Sequence, residues 1–476
     1  MPRNRTCLGY RIASNVLVAL LLASVPLVAE DLESGVAKVR ITPPTPFWMS
    51  GYAARTRPSR GVLQDLWAKA LAVRDAEGSR VVFVTTDLIG LSRAIATDVV
   101  ARAGSRYGLE PSRLVLNSSH THCGPLVWRN LPVLLDLEAE DQRAVETYGR
   151  ELVERLVEVV GDSLRDLAPA RLAAGHGSVG FAVNRRALTP EGYRIGVNPS
   201  GPVDHDVPVV TVTAPDGTLR AILFGYACHN TTLGADVDQI NGDYAGQAQH
   251  EVEKTHPGTT ALFVMLCGGD QNPHPRGTFD LARGHGRTLA AEVSRVVSAP
   301  LRPVRGPVRT AFEETSLEFA PHTRDAFEEE IGQPDPHRQR RARRMLETYD
   351  RGDPLRETPY PVQAVRFGTD LTVLALGGEV VVDYAIRVKR EFPDENLIVA
   401  GYSHDVMCYI PSRRVLGEGG YEAVESMIYY GQPGPFADSV EERILGAIRR
   451  VMARVGAASR VPATSATAAA PAGRGH

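Results

Sequence analysis

Residues 117–125 read NSSHTHCGP: His120 and His122 stand two apart, behind the apolar run Leu114-Val115-Leu116 and just before a Gly-Pro turn. In an extended chain residues i and i+2 face the same side, so the two imidazoles are expected to project together from a strand end. Neutral imidazole is a common zinc ligand, and such a pair can give one ring to a metal and the other to a developing oxyanion. A lone HxH is more often a polar strand end or a hydrogen-bonded turn than a metal site. His229, in GYACHNTTLG, follows a second apolar run at 220–227 and lies close enough to the core to need a partner. Glu379 emerges from LTVLALGG ahead of VVVDYAIRVKRE, where a metal or an arginine would have to compensate its charge. In MLCGGDQNPHP, Asp270 behind two glycines can bind a cation, orient a ligand or close an Asx turn. Residues 401–431 carry five tyrosines in a glycine-rich setting.

These groups need a scaffold, and the pattern supplies one. Short β-branched runs recur at 81–86, 114–119, 207–214, 220–227, 260–267, 362–368, 371–377 and 397–403. Val145, Tyr148, Leu152, Leu156 and Val159 recur at helical spacing within 139–160; further helices are expected over 280–298 and from about Tyr244, where Asn241, Gly242 and Asp243 can cap. The alternation, with two strand pairs close enough to be hairpins, predicts an α/β fold with mixed sheets flanked by helices. Each chemically interesting residue follows a strand, the position from which rigid sheets present reactive groups. The charged stretch 322–357 reads as a solvated helical excursion, its RQRRARR run as surface.

The 476 residues are 43% hydrophobic and 23% charged, with a formal net charge of −3, which gives no reason to expect a nucleic acid or an anionic membrane as the main partner. Arg3, Arg5 and Arg11 ahead of VLVALLLASVPLVA match a secretory signal peptide, so 1–29 is expected to be removed and the protein exported, secreted or periplasmic. Residues 30–456 are expected to form the folded domain, and the Ala/Pro/Thr/Gly tail 457–476 to be disordered. Beyond the leader, Cys123, Cys228, Cys267 and Cys408 are too widely spaced for a disulfide framework and show no CxxC zinc pattern; they read as small buried thiols.

Taken in order, HTHxGP, a strand-borne His-x-Thr, GDYAG, GD-x-x-P, GE and the tyrosine-rich segment resemble the catalytic domain of the neutral/alkaline ceramidases, from about Val36 to Val440. The opening AKVRITPPTPFWMSGYAARTRPSRGVLQDLWAKALAV is similar to that family's N-terminal glycine-turn segment. The resemblance implies a zinc amidase of N-acyl-sphingosines, with ligands at His120, His229, Glu379 and Tyr409. It also implies His122 beside the reacting carbonyl, Tyr421 as a second active-site tyrosine twelve residues after Tyr409, and Arg185 as the active-site arginine. Two departures stand out. The family's catalytic serine position holds Asn272, which can donate hydrogen bonds but cannot be a nucleophile, and the family's C-terminal immunoglobulin-like domain is not matched.

With zinc, hydrolysis of an amide can proceed by metal-activated water without the serine. The expected partner is therefore a lipid-like N-acyl amide, reached through transient contact with a membrane surface; nothing in the sequence sets an oligomeric state. Three other readings stay open: another amide or an ester as substrate, a zinc-containing lipid- or glycan-binding protein without turnover, and a phosphoester hydrolase, for which a second set of metal ligands is lacking.

Overall fold

The computed structural model describes residues 32–460, so the expected leader and residues 461–476 of the expected tail lie outside the described residues. The remaining tail residues continue the fold: the Arg460 N–H donates to the Glu391 carbonyl (3.0 Å) and its guanidinium pairs with Asp394 (2.8 Å).

A nine-stranded sheet carries most of the site. From one edge to the other it runs Thr260–Met265, Leu219–Tyr226, Asp206–Thr213, Ala168–Ser178, Leu32–Arg40, Trp67–Asp75, Arg80–Thr86, Leu114–Ser118, with Arg302–Val304 added beside Ala168–Ser178. The two outermost pairs are parallel and the inner ones antiparallel, so the sheet is mixed as its sequence pattern predicts. A second sheet orders Val308–Glu318, Glu357–Phe367, Leu371–Leu376 and Leu397–Ala400. Both expected hairpins form, at 206–226 and 357–376.

The two edge strands of the large sheet approach each other, and one side chain joins them. Asn117 accepts from the Met265 N–H (2.8 Å) and donates to the Met265 carbonyl (3.2 Å) and the Gly401 carbonyl (2.8 Å). Its amide thus stands in for a peptide group between strands that share no ladder, and bridges Asn117↔Ser403 and Leu266↔Ala400 attach the second sheet at the same seam. Between the sheets lie Leu71, Phe83, Val115, Val264, Phe367, Val373 and Ile398. Burying a side chain of this kind stabilises by roughly 1.5–3 kcal/mol.

Helices cover the outer faces. Ala139–Arg165 buries Val145, Tyr148, Leu152, Leu156 and Val159, the stripe its spacing predicts. Phe279–Val297 begins where the Thr278 hydroxyl accepts from the Leu281 N–H. The charged stretch forms Arg324–Ile331 and Pro336–Asp350, which close on a small cluster of Phe327, Ala342 and Met345. Several strands lacked a sequence signal. Ala168–Ser178 (APARLAAGHGS) offers alanine and glycine rather than β-branched residues, and Val308–Glu318 carries glutamates on its wet face.

His176 on Ala168–Ser178 ties the two sheets together at their rim. Its Nδ1 faces Asp206 (2.8 Å) and its Nε2 faces the Asn396 Oδ1 (2.6 Å), so both ring nitrogens are called on to donate. The hydrogen bond to Asp206 raises the His176 pKa despite partial burial. A raised folded-state pKa contributes stability that is present below the unfolded value near 6.5 and lost as pH rises through the folded value. His176→Ala is therefore expected to cost more stability in urea unfolding at pH 5.5 than at pH 8.5; an equal cost at both would refute the clasp. Asn117→Leu, which strands three buried backbone groups, is expected to lower stability by roughly 2–4 kcal/mol, and an unchanged unfolding midpoint would show that the seam does not depend on it.

Candidate active site

Segments distant in sequence deliver the site. The strand Leu114–Ser118 ends before His120, so the pair is not held in an extended strand as its spacing suggested. His120 instead takes a left-handed backbone (φ 62°), and the two rings still meet, Nε2 to Nε2 at 3.0 Å. The strand Leu219–Tyr226 runs into His229, whose N–H is held by the Gln271 carbonyl (2.8 Å). Glu379 and Tyr409 are directly paired in a two-residue parallel ladder, Glu379–Val380 against Tyr409–Ile410. Gly378 makes that ladder reachable: it has φ 74°, and a Cβ there would lie 2.8 Å from the Cys408 carbonyl oxygen.

The polar atoms converge tightly. The Glu379 Oε2 lies 2.9 Å from the His120 Nε2 and 3.0 Å from the His229 Nε2, and the Tyr409 hydroxyl is 3.0 Å from the His229 Nε2. The other ring nitrogens are spoken for: His120 Nδ1 faces the Ile89 carbonyl (2.6 Å) and His229 Nδ1 the Gly268 carbonyl (2.8 Å). A carbonyl can only accept, so both rings carry the proton on Nδ1 and aim an Nε2 lone pair at the carboxylate. Burial raises the Glu379 carboxyl, and positive charge on the facing His120 and His229 would hold it well below the usual carboxylate range; with both rings neutral at Nε2, that charge has to come from elsewhere. Burial and the Arg185 charge hold His229 down to about 3. Three acceptors around one point require protons or a cation between them, and the depressed His229 argues for a cation. Among the described residues no lysine or arginine pairs with Glu379.

His122 belongs to the same cluster, since ligand atoms of His120, His122 and His229 all lie within 4.8 Å of one another, a group able to hold a metal ion. It differs in one respect. Its Nδ1 is buried without a hydrogen-bond partner, so only the Nε2 contact to His120 bears on its tautomer. A metal-bound histidine is normally anchored through its second nitrogen, which His120 and His229 are and His122 is not. The N-terminal segment positions His122 from behind: Tyr52 lies 4.8 Å from its ring, Arg55 donates to its carbonyl (2.8 Å), and Gly51, with φ 89°, leaves no room for a Cβ against the imidazole.

The other expected residues are brought to the same pocket, a cavity of about 210 Å³. Arg185, buried on the strand Ala182–Thr189, donates to the Tyr409 hydroxyl (3.0 Å), to Glu422 (2.7 Å) and to the Asn272 Oδ1 (3.3 Å). Thr231 also donates to that oxygen (3.3 Å), which leaves the Asn272 NH₂ as the group available to a ligand. Tyr421 packs edge-on to Tyr409 at 5.5 Å, and burial raises its phenol.

The sequence reading did not single out Tyr430, whose hydroxyl donates to the Glu379 Oε1, or Tyr402, whose ring lies 4.5 Å from His120. Both belong to the tyrosine-rich segment, so composition marked the neighbourhood but not the individuals. It also missed Glu422, the carboxylate behind Arg185 and Arg186. Asp270 proves structural: it accepts from the Val382 N–H (2.8 Å) and Asn184 (3.1 Å), and burial pushes its pKa to about 7. Asn241 and Asp243 likewise hold the turn before Asp243–Thr255, through bonds to the Asp243 and Leu233 N–H groups. The four cysteines are free and buried, each beside a site segment.

This architecture is shared with solved ceramidases. A structure described as ceramidase complexed with C2 superposes with a TM-score of 0.68 at 18% identity over 88% of this chain and 76% of that one, and neutral ceramidase from Pseudomonas aeruginosa with 0.67 at 19% over 89% and 74%. In sequence, residues 33–315 match the family model for neutral/alkaline non-lysosomal ceramidase, N-terminal, and the chain belongs to that family. Among its relatives, neutral ceramidase of Pseudomonas aeruginosa is 27% identical over 293 residues (57% of this chain, 41% of that protein). That of Mycobacterium tuberculosis is 25% identical over 251 residues (48% and 38%). The matched stretch thus spans about two fifths of these relatives' length.

The anchored rings give a direct test. Wild-type protein is expected to retain one equivalent of metal after gel filtration, and His120→Ala and Glu379→Gln to lose it, read by elemental analysis. Undiminished metal in both variants would refute the convergent-acceptor argument.

Proposed function

We propose that the chain is an exported zinc-dependent amidohydrolase that cleaves the amide of N-acyl-sphingosine or a related N-acyl lipid. The observation that carries this reading is the convergence of His120 Nε2, His229 Nε2 and Glu379 Oε2, with the Tyr409 hydroxyl beside them, at the floor of the pocket. Two histidines, a carboxylate and a phenolic oxygen suit zinc. A zinc ion held there would supply Lewis acidity and lower the pKa of a water from about 15.7 towards about 7. Export rests on the charged and apolar pattern of residues 1–29.

The protein's own groups divide the remaining work. Burial raises the Tyr409 phenol well above its ordinary value, and Arg185, held between Glu422 and Tyr409, opposes that with a fixed positive charge beside the hydroxyl. Tyr421 offers a hydroxyl with no partner among the described residues to an oxygen that gains negative charge at the carbonyl carbon. His122, untethered at Nδ1, can take up a proton on one nitrogen and release it from the other, which suits delivery to the leaving amine. Asn272 replaces a nucleophile with a donor: its NH₂ can hold the substrate carbonyl or a hydroxyl while Arg185 and Thr231 fix its orientation. Leu131, Leu134 and Ile195 give the pocket an apolar side for an alkyl chain.

The test is release of fatty acid from an N-acyl-sphingosine by zinc-loaded protein. Wild type is expected to turn over and His120→Ala to be inactive; Tyr421→Phe is expected to lower kcat by about 10²-fold with little change in KM, the order seen when one oxyanion donor is removed. A zinc-loaded wild type that cleaves no N-acyl amide would defeat the hydrolase reading and leave a zinc-containing binding protein.

A further inference from the structure

The lining of the metal pocket is of two kinds. Leu131, Leu134 and Ile195 are apolar, whereas Thr231, Asn272 and Arg276 are polar. Arg276 takes no part in the chemistry assigned to Arg185, Tyr421 and His122, yet the chain that carries it is firmly held. The His274 N–H donates to the Phe181 carbonyl (2.8 Å), and the Gly277 N–H donates to the Thr232 carbonyl (2.7 Å). Between them the Pro275 carbonyl accepts from the His285 Nε2 (2.7 Å), whose ring stacks on Phe181. The side chain is exposed on its outer side and tethered on the other: its guanidinium donates to the Tyr52 hydroxyl (3.3 Å), which in turn donates to the Leu233 carbonyl (2.6 Å).

Among the described residues the Arg276 guanidinium pairs with no carboxylate. Asp243, the acidic group whose charge it feels, is spent on the Leu233 and Tyr244 N–H groups. The other oxygens around the pocket are committed as well. The Asn272 Oδ1 receives Arg185 and Thr231, Glu422 receives Arg185 and Arg186, and Glu379 faces the imidazoles and Tyr430. The groups left over are therefore donors: the Asn272 NH₂, the Tyr421 hydroxyl and the Arg276 fork. A hydroxyl on a bound molecule needs an acceptor for its own proton, whereas a carboxylate needs none and takes two parallel N–H bonds from a guanidinium. The cavity, about 210 Å³ against roughly 300–1,000 Å³ for common small-molecule pockets, also suits a compact group better than a second long chain.

We propose that Arg276 is a specificity-determining residue, and that the pocket takes an N-acyl amide whose amine half carries a carboxylate beside the amide nitrogen, as in an N-acyl α-amino acid. The acyl chain lies against Leu131, Leu134 and Ile195, the Asn272 NH₂ meets the amide carbonyl, and the carboxylate meets the Arg276 fork. Hydrolysis breaks the amide C–N bond: the hydroxyl of one water joins the acyl carbon and its other hydrogen joins the nitrogen, which releases a fatty acid and an amino acid. For turnover this rests on the hydrolase reading; for recognition of the carboxylate it does not.

N-octanoylglycine and N-octanoylethanolamine share the chain and the amide and differ in a carboxylate against a hydroxymethyl group. With the zinc-loaded protein, kcat/KM is expected to favour the glycine conjugate at least tenfold, and Arg276→Gln to lower that ratio roughly tenfold, the order expected for loss of a charge-assisted hydrogen bond. Arg276→Lys, which keeps the charge without the fork, is expected to fall between the two. A merely structural defect would lower both rates and leave the ratio in place. Where neither amide is cleaved, calorimetric titration of the same protein with both compounds separates the claims: tighter binding of the glycine conjugate, lost in Arg276→Gln, keeps the carboxylate site and defeats only the hydrolase reading. A wild type that does not favour the glycine conjugate in turnover or, where there is none, in binding, or a preference unchanged in Arg276→Gln, overturns the proposal.

Discussion

A carboxylate buried against two imidazoles is the constraint around which the structure is arranged. Glu379 is 2% exposed, has no lysine or arginine partner among the described residues, and faces nitrogen lone pairs. An isolated charge in such a place is costly, so everything that touches it must either donate to it or admit a cation. Tyr430 and Tyr402 donate from one side, and the carbonyls of Ile89 and Gly268 turn the imidazoles so that they cannot. The electrostatics of the site are therefore decided by backbone carbonyls that never touch a ligand.

That arrangement depends in turn on the seam between the sheets. Both sheets contribute: His120 and His229 follow strands of the large one, while Glu379 and Tyr409 pair in the short ladder that follows strands of the second. Distances near 3 Å between such groups require the sheets to hold register to a fraction of that. Asn117, three residues before His120, fixes register by bonding both the opposite edge strand and the loop that leads to Tyr402. Structural and chemical roles sit a single turn apart in the chain.

How much of this was legible in the sequence varied with the physics involved. Runs such as VVFVTT and LTVLAL announce buried strands because both faces are covered, and the helix at 139–165 announces its stripe. Ala168–Ser178 did not, because its pairing is set by neighbours and not by its own side chains. The candidate residues His120, His122, His229, Glu379, Tyr409, Tyr421, Arg185 and Asn272 were legible through ordered motifs, and all of them meet around one pocket. What no motif encoded was the difference between the histidines. It resides in which Nδ1 finds a carbonyl, and that depends on Ile89 and Gly268, residues with no chemical signature of their own. Tyr430 was hidden for a similar reason: five tyrosines fall within one segment, and only the folded chain selects Tyr430 and Tyr402 as the phenols that reach the carboxylate.

The cysteines carry a last implication. Cys123, Cys228, Cys267 and Cys408 are packed next to His122, His229, Gly268 and Tyr409, with thiols raised by burial and none joined to another. Protonated, dry sulfur of this kind is a poor nucleophile and a small apolar filler. Within the described residues these sulfurs therefore serve as packing, and the segments that carry the site are held by hydrogen bonds and apolar contact, not by covalent cross-links.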